Sequence, residues 1–223
     1  GLAGFVLALE LAENHKVTIC SKTDLSTTNS AMAQGGIAAV MSDEDSFDRH
    51  MEDTLLAGAG LCDPQVVRHV VEQAPDRIKD LTKWGVRFDI GGDSRPDLTQ
   101  EGGHTARRIL HIADHTGQEV HARLMERIVA HPNIEILENH FALDLILNHH
   151  ARPLSTSPPH CLGAYLFNKS NGEVFPMTAK SVFLATGGAG KVYLYTSNWD
   201  GATGDGIAMA VRAGARAANL EFM

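Results

Sequence analysis

The sequence predicts an α/β fold, with a parallel sheet, flanking helices and a small antiparallel β insertion. Three observations carry this. A helical stretch at the start leads directly into a short strand, KVTIC at residues 16–20. Two strand-length segments flank Asn171-Gly172, a dipeptide suited to the φ > 0 positions of a tight hairpin. Residues 180–186 (KSVFLAT) form an apolar run closed by glycines, with a helical pattern over residues 205–214. Helix and strand in this alternation suit a layered α/β domain.

The elements follow in order. Residues 1–14 read as a helix, with Leu2, Val6, Leu9 and Leu11 near helical spacing and Glu10 and Glu13 polar. The strand at 16–20 is bounded by polar residues, and a Ser/Thr-rich loop covers 21–30. Residues 33–40 are too small to build much core. A helix is expected over 45–57, with Ser46 near its start. Asp63-Pro64 marks a second start, Asp as N-cap and Pro at the first helical position. That helix runs through Val66, Val67, Val70, Ile78 and Leu81 and ends at Gly85; Pro75 inside it predicts a kink or break.

Residues 89–103 read as loop. Residues 104–131 read as two helices, or as one broken at Thr116-Gly117. Strands are expected at 133–137 and 141–148. Residues 152–160, rich in Pro, Ser and Thr, read as a surface excursion. Residues 161–168 and 174–178 pair across the Asn-Gly turn, and 180–186 is expected as a buried strand.

Composition narrows the function. The 21 glycines among 223 residues exceed the usual share of about 7%, and excess glycine often marks close approach of backbone to a ligand. The net charge of −8 carries no Lys/Arg cluster, which argues against a nucleic-acid partner. Cys20, Cys62 and Cys161 are far apart and in no metal-ligand spacing, which suits a reducing cytoplasm better than a disulfide framework. No apolar run approaches the roughly 18 residues of a membrane span.

Gly1 and Gly4 have the spacing of the last two glycines of a G-x-G-x-x-G dinucleotide fingerprint. Gly1 would then admit a pyrophosphate, Gly4 would let the helix pack on a sheet, and the helix N-terminus would supply N–H donors. The plainer alternative is a helix start with glycine as its cap. Asp205 opens a helix in Thr203-Gly204-Asp205-Gly206; it suits either a ribose hydroxyl or the role of N-cap.

The segments Ala33-Gln34-Gly35-Gly36-Ile37-Ala38, Ala185-Thr186-Gly187-Gly188-Ala189, Tyr193-Leu194-Tyr195-Thr196-Ser197-Asn198 and Thr203-Gly204-Asp205-Gly206 occur in that order. Together they resemble the flavoprotein family of succinate dehydrogenase, fumarate reductase and L-aspartate oxidase. The resemblance implies a Rossmann-like FAD-binding domain over 1–223. It also implies that an initial strand, a capping domain, a C-terminal helical domain and the catalytic arginine and histidines lie outside the chain, so that the chain alone is inactive.

The family's dehydrogenases carry a flavin-bonded histidine five residues before the glutamine of A-Q-G-G. Asn29 stands there, so the resemblance implies noncovalent FAD and the oxidase branch. Glu101-Gly102-Gly103-His104 followed by Arg107-Arg108-Ile109 resembles that branch too, and implies that Glu101 orients a substrate amino group. An ammonium calls for a carboxylate partner that a plain dicarboxylate does not; a solvated loop glutamate is the alternative. By resemblance, Gly1, Leu2 and Ala3 serve the phosphates. Lys22 stands where the usual plan has an acidic residue. Asn29, Ser30, Ala31, Met32, Ala33, Gln34, Gly35 and Gly36 wrap the cofactor, with Ala185, Thr186, Gly187 and Asp205 completing the set.

The implied reaction is FAD-dependent oxidation of L-aspartate to iminoaspartate with oxygen or fumarate as acceptor, feeding quinolinate synthase and NAD formation in the cytoplasm. A fumarate reductase or succinate dehydrogenase type of activity, or a non-catalytic FAD-binding module, are the alternatives. His111 and His115, four apart on an expected helix, invite a metal reading, but no H-E-x-x-H pattern accompanies them, and no metal is expected.

Overall fold

The computed structural model describes residues 1–92, 94–151 and 158–222. It divides into two compact units, Gly1–Ala31 with Leu124–Met223, and Met32–Arg123. Most of the expected excursion at 152–160 lies outside the described residues.

In the first unit, helix α1 (Leu2–Ala12) precedes strand β1 (Val17–Cys20). β1 pairs in parallel with β5 (Ile134–Leu137), Val17 beside Ile134 and Cys20 beside Leu137. Phe5, Ala8, Leu9 and Ala12 of α1 are buried, so its small residues let the helix lie close to its neighbours. Three antiparallel strands form a separate sheet in the order β6 (His140–Leu147), β7 (Cys161–Asn168), β8 (Val174–Thr178). This is the expected insertion. Gly172 has φ +76° in the β7–β8 turn, a conformation glycine adopts without cost. Leu145 and Leu147 of β6 form a core cluster with Met209 of helix α7 (Asp205–Arg212).

Residues 180–186 differ from the expected buried strand. Among the described residues no strand pairs with them, and Phe183 and Leu184 are 56% and 40% exposed. An apolar run supplies side chains for a core, but a strand also needs a neighbouring backbone to complete its hydrogen-bond ladder. Only Val182 of the run packs on the Leu145–Met209 cluster.

In the second unit, α3 (Phe47–Ala57) starts at Ser46, whose hydroxyl accepts from the Arg49 N–H. α4 (Pro64–Lys83) starts at Asp63, whose carboxylate accepts from Gln65 and Val66, as Asp-Pro leads one to expect. Pro75 does not break it; α4 runs through all 20 residues. Val67 and Val71 before the proline and Ile78 after it are buried, so packing on both sides offsets the lost N–H. Gly85, at φ +101°, follows the helix end.

The expected helix over the first half of 104–131 is absent. That stretch holds β4 (Ile109–Leu110), the centre of a sheet between β2 (Ile37–Ala38) and β3 (Leu98–Thr99). Flanked by a strand on each side, Ile109 and Leu110 are both buried, and burial on both faces hides the alternation by which a strand is recognised. Helix α5 spans Thr116–Ala130, and the Thr116 hydroxyl accepts from the Ile112 N–H at 2.9 Å. The short helices α2 (Asn29–Met32) and α6 (Asn148–Ala151) complete the order.

Candidate functional site

In the first unit, small residues bring two helix N-termini to one segment. Gly1 offers no side chain to cap α1, and the Leu2 N–H donates to Ser30 Oγ at 3.2 Å. A Cβ on Gly4 would stand 3.4 Å from the Ala185 Cβ. One residue on, Thr186 lies so close to Gly206, in the first turn of α7, that a Cβ there would fall 1.9 Å from its hydroxyl. Ala185 therefore touches the first turn of α1 and Thr186 the first turn of α7. The next residue, Gly187, takes φ +73°, and Gly204, the left-handed cap of α7 at φ +76°, lies against Ala189. Apart from the Leu2 N–H, which Ser30 Oγ takes, the first-turn N–H groups of both helices have no side-chain cap, and with their positive dipole ends they suit phosphate oxygens. Gly1, Leu2, Ala3, Ala185, Thr186 and Gly187 are thus grouped in the folded chain.

Asp205 does not cap α7; that position belongs to Gly204. Its carboxylate instead accepts from the ammonium of Lys22 and, at 2.8 Å, from the Thr203 hydroxyl. Lys22 Nζ also donates to Thr203 Oγ1 at 2.6 Å and stands 5.8 Å from the centroid of the Phe141 ring. The fold requires this arrangement because Lys22 follows β1 while Asp205 opens α7, and 183 positions separate them in sequence. Asn29 Oδ1 accepts from the Trp199 N–H at 2.7 Å, and the Ala31 N–H donates to Thr28 Oγ1 at 3.1 Å.

In the second unit the A-Q-G-G run enters β2 with Met32, Ala33, Gln34, Gly35 and Gly36 all exposed. The Ala33 carbonyl accepts from the Gly117 N–H at 3.0 Å. Gly36 leaves no room for a side chain, since a Cβ would fall 2.2 Å from the Leu110 carbonyl oxygen. At Gly35 a Cβ would stand 3.5 Å from Glu101 Oε1. The β2-β4-β3 register therefore brings the Glu101 carboxylate to the backbone of Gly35.

The loop that carries Glu101 is tied through Thr105 and His104 to a buried charged cluster. Arg108 is fully buried. Its Nε and Nη2 donate to the two carboxylate oxygens of Asp45, each at 2.8 Å, and its Nη1 donates to Asp53 Oδ2 at 2.6 Å. The same Asp53 oxygen accepts from the Thr105 N–H at 2.9 Å and hydroxyl at 3.0 Å. His104 Nδ1 lies 3.2 Å from Arg108 Nη1. Arginine can only donate, so His104 Nδ1 is the acceptor and its proton sits on Nε2. Burial alone would raise the pKa of both aspartates, but hydrogen bonds and the guanidinium charge hold them below the usual carboxylate range. Burial and the positive charge of Arg108 push His50 down. Arg108 directly precedes the buried Ile109-Leu110 pair, and a buried arginine demands a carboxylate partner, but its partners stand 55 and 63 positions away and no local pattern marks them.

His111 and His115 do not share a helix. His111 follows β4, with Nδ1 3.1 Å from Asp89 and Nε2 3.8 Å from Asp97. Among the described residues no three His, Cys, Asp or Glu side chains are grouped to hold a metal, and no helix is long and apolar enough to cross a membrane.

The profile of the FAD-binding domain family matches residues 1–223. The free first-turn N–H groups and the close approach of Gly4 and Gly206 to Ala185 and Thr186 fit that dinucleotide. L-aspartate oxidase 1 of Ralstonia nicotianae is 49% identical over 225 residues, covering 100% of this chain and 42% of that protein. L-aspartate oxidase of Vibrio cholerae is 49% identical over 227 residues, with the same coverage of each. The chain thus spans about two fifths of the length of these relatives. Among solved structures, the Mycobacterium smegmatis Sdh1 complex in the apo form matches at TM-score 0.88 and 30% identity, over 96% of this chain and 37% of that one. An E. coli quinol fumarate reductase matches at TM-score 0.85 and 31% identity, over 95% and 34%.

Proposed function

Because the chain belongs to the FAD-binding domain family, with FAD as its cofactor, we propose that it forms the first FAD-holding segment of an enzyme that oxidises L-aspartate to iminoaspartate. The observation that carries this is Glu101, whose carboxylate stands beside Gly35 of the A-Q-G-G run. A carboxylate there favours a dicarboxylate bearing an ammonium and disfavours one without it. Bound FAD supplies the two-electron acceptor; the protein supplies orientation and charge.

In this reading Gly1, Leu2 and Ala3 lie at the phosphates, with Ala185, Thr186 and Gly187 close by. Lys22 and Asp205 act together, the ammonium neutralising the carboxylate while both reach the nucleotide. Asn29 to Gly36 line the flavin, and Asn29, which has no ring nitrogen to bond it, leaves FAD noncovalent. Oxygen or fumarate takes the electrons. The iminoaspartate feeds quinolinate synthase and NAD formation, in the cytoplasm. Relatives 47–49% identical and named L-aspartate oxidase support this reading over a succinate dehydrogenase or fumarate reductase, whose solved examples share 22–32%.

Assaying the full-length protein tests it. Turnover of L-aspartate exceeds that of succinate, and acid denaturation releases all FAD into the supernatant. Faster turnover of succinate, or yellow colour that stays with the precipitated chain, overturns the assignment.

A further inference from the structure

The loop at residues 100–105 carries Glu101 yet makes little use of its own side chains to hold its shape. Within it, Gln100 Nε2 donates to the His104 carbonyl at 2.6 Å and the His104 N–H donates to the Glu101 carbonyl at 3.2 Å. Gly102 and Gly103 between them have open space around their Cα atoms, and Gly103 takes φ +85°. Two exposed glycines beside a functional carboxylate leave it free to wander unless the loop is fixed from outside.

Helix α3 fixes it. Arg49 Nη2 donates to the Thr105 carbonyl at 2.9 Å, while its Nη1 donates to the Glu44 carbonyl at 2.8 Å. Asp53, one turn further along α3, accepts from both the backbone N–H and the hydroxyl of Thr105. All three hydrogen-bonding groups of Thr105 are therefore held by one helix. The Arg108 guanidinium pins Asp53 in turn and meets His104 at the other side of the same turn.

We propose that Arg49 and Asp53 are positioning residues for Glu101, and that the preference for an amino dicarboxylate depends on this mount. The inference rests on the reading of Glu101 given above. Neither residue touches substrate in it; each acts through Thr105.

The test uses the full-length flavoenzyme and compares KM for L-aspartate with Ki for succinate, a C4 dicarboxylate that lacks the amine. Their ratio is independent of the fraction of protein that is active, so a loss of folded enzyme alone does not move it. Arg49→Ala raises the ratio about tenfold, less than the roughly hundredfold cost that a full 1 Å misplacement can carry. Arg49→Lys, which keeps one donor, recovers part of it. Thr105→Val keeps the side-chain shape, removes the hydroxyl held by Asp53, and moves the ratio in the same direction. It decides alone if Arg49→Ala does not accumulate. Glu101→Gln calibrates the scale. If Glu101→Gln raises the ratio while Arg49→Ala and Thr105→Val leave it unchanged, the mount is wrong. If Glu101→Gln leaves it unchanged, the role of Glu101 itself fails and the mount falls with it.

Discussion

Arg108 and Asp45 face each other as a fork on a fork, with two N–O contacts of 2.8 Å between side chains 0% and 1% exposed. A buried pair of this kind contributes little over an apolar pair of the same shape, but losing Asp45 leaves Arg108 Nε and Nη2 buried without their acceptor while Asp53 holds only Nη1. Asp45→Ala therefore costs ~3–5 kcal/mol in urea unfolding. A loss below about 1 kcal/mol, typical of an exposed pair, contradicts the burial of this ion pair.

Acid weakens the same region in two stages. His50 has its pKa lowered by burial and by Arg108, so the folded state binds fewer protons than the unfolded chain. The stability it contributes is intact above the free imidazole value of about 6.5 and is lost as pH falls through the lower folded value. Asp45 and Asp53, also lowered, hold their contribution above the free carboxylate value of about 3.9 and lose it below. Melting temperature recorded against pH falls first on the histidine step, then on the aspartate step. His50→Gln removes only the first; an unaltered slope between neutrality and mild acid rejects the assignment.

Gly36 admits no side chain. Gly36→Ala places a methyl 2.2 Å from a backbone oxygen that belongs to a central strand, so relief requires moving β4. The expected cost is ~1–3 kcal/mol or more. Gly102→Ala, with nothing within 4 Å, serves as the control and stays within about 0.5 kcal/mol. Equal melting temperatures for the two variants rule out the close packing of β2 on β4.

Pro75 sits inside an unbroken helix, where it removes one hydrogen bond and crowds the carbonyl of Val71. Pro75→Ala raises stability by up to ~3 kcal/mol, read from the shift in urea midpoint at constant slope. No gain means that α4 has already relaxed around the proline.

The sequence was most informative where the cause of structure is local. Asp63-Pro64, Ser46 and Asn171-Gly172 each fix a helix start or a turn through one or two bonds to their neighbours, and each does so in the fold. It misled where the partner is distant. Residues 180–186 have the composition of a strand, but a ladder needs a second backbone. Residues 104–115 have helical spacing, but β2 and β3 recruit them as a central strand and Arg108 is drawn to α3. Among the site residues, Gly35 and Glu101 are separated by 66 positions, and only the order β2-β4-β3 brings them together. The resemblance implies Lys22 and Asp205 each at the cofactor; that they hold each other depends on the packing of α7 near the end of β1.

The arrangement around Arg108 also shapes which mutational routes are open to this protein. One guanidinium satisfies two carboxylates and one imidazole, so no single truncation leaves every partner bonded. Losing the arginine leaves two buried anions together; losing Asp45 leaves Arg108 Nε and Nη2 without their acceptor, and losing Asp53 does the same to the N–H and hydroxyl of Thr105. A path to an apolar core here must change several positions together, and its intermediates are less stable than either end. Neighbouring loop residues, by contrast, can vary one at a time. Substrate preference is thus able to drift at Glu101 while the support of its loop stays locked.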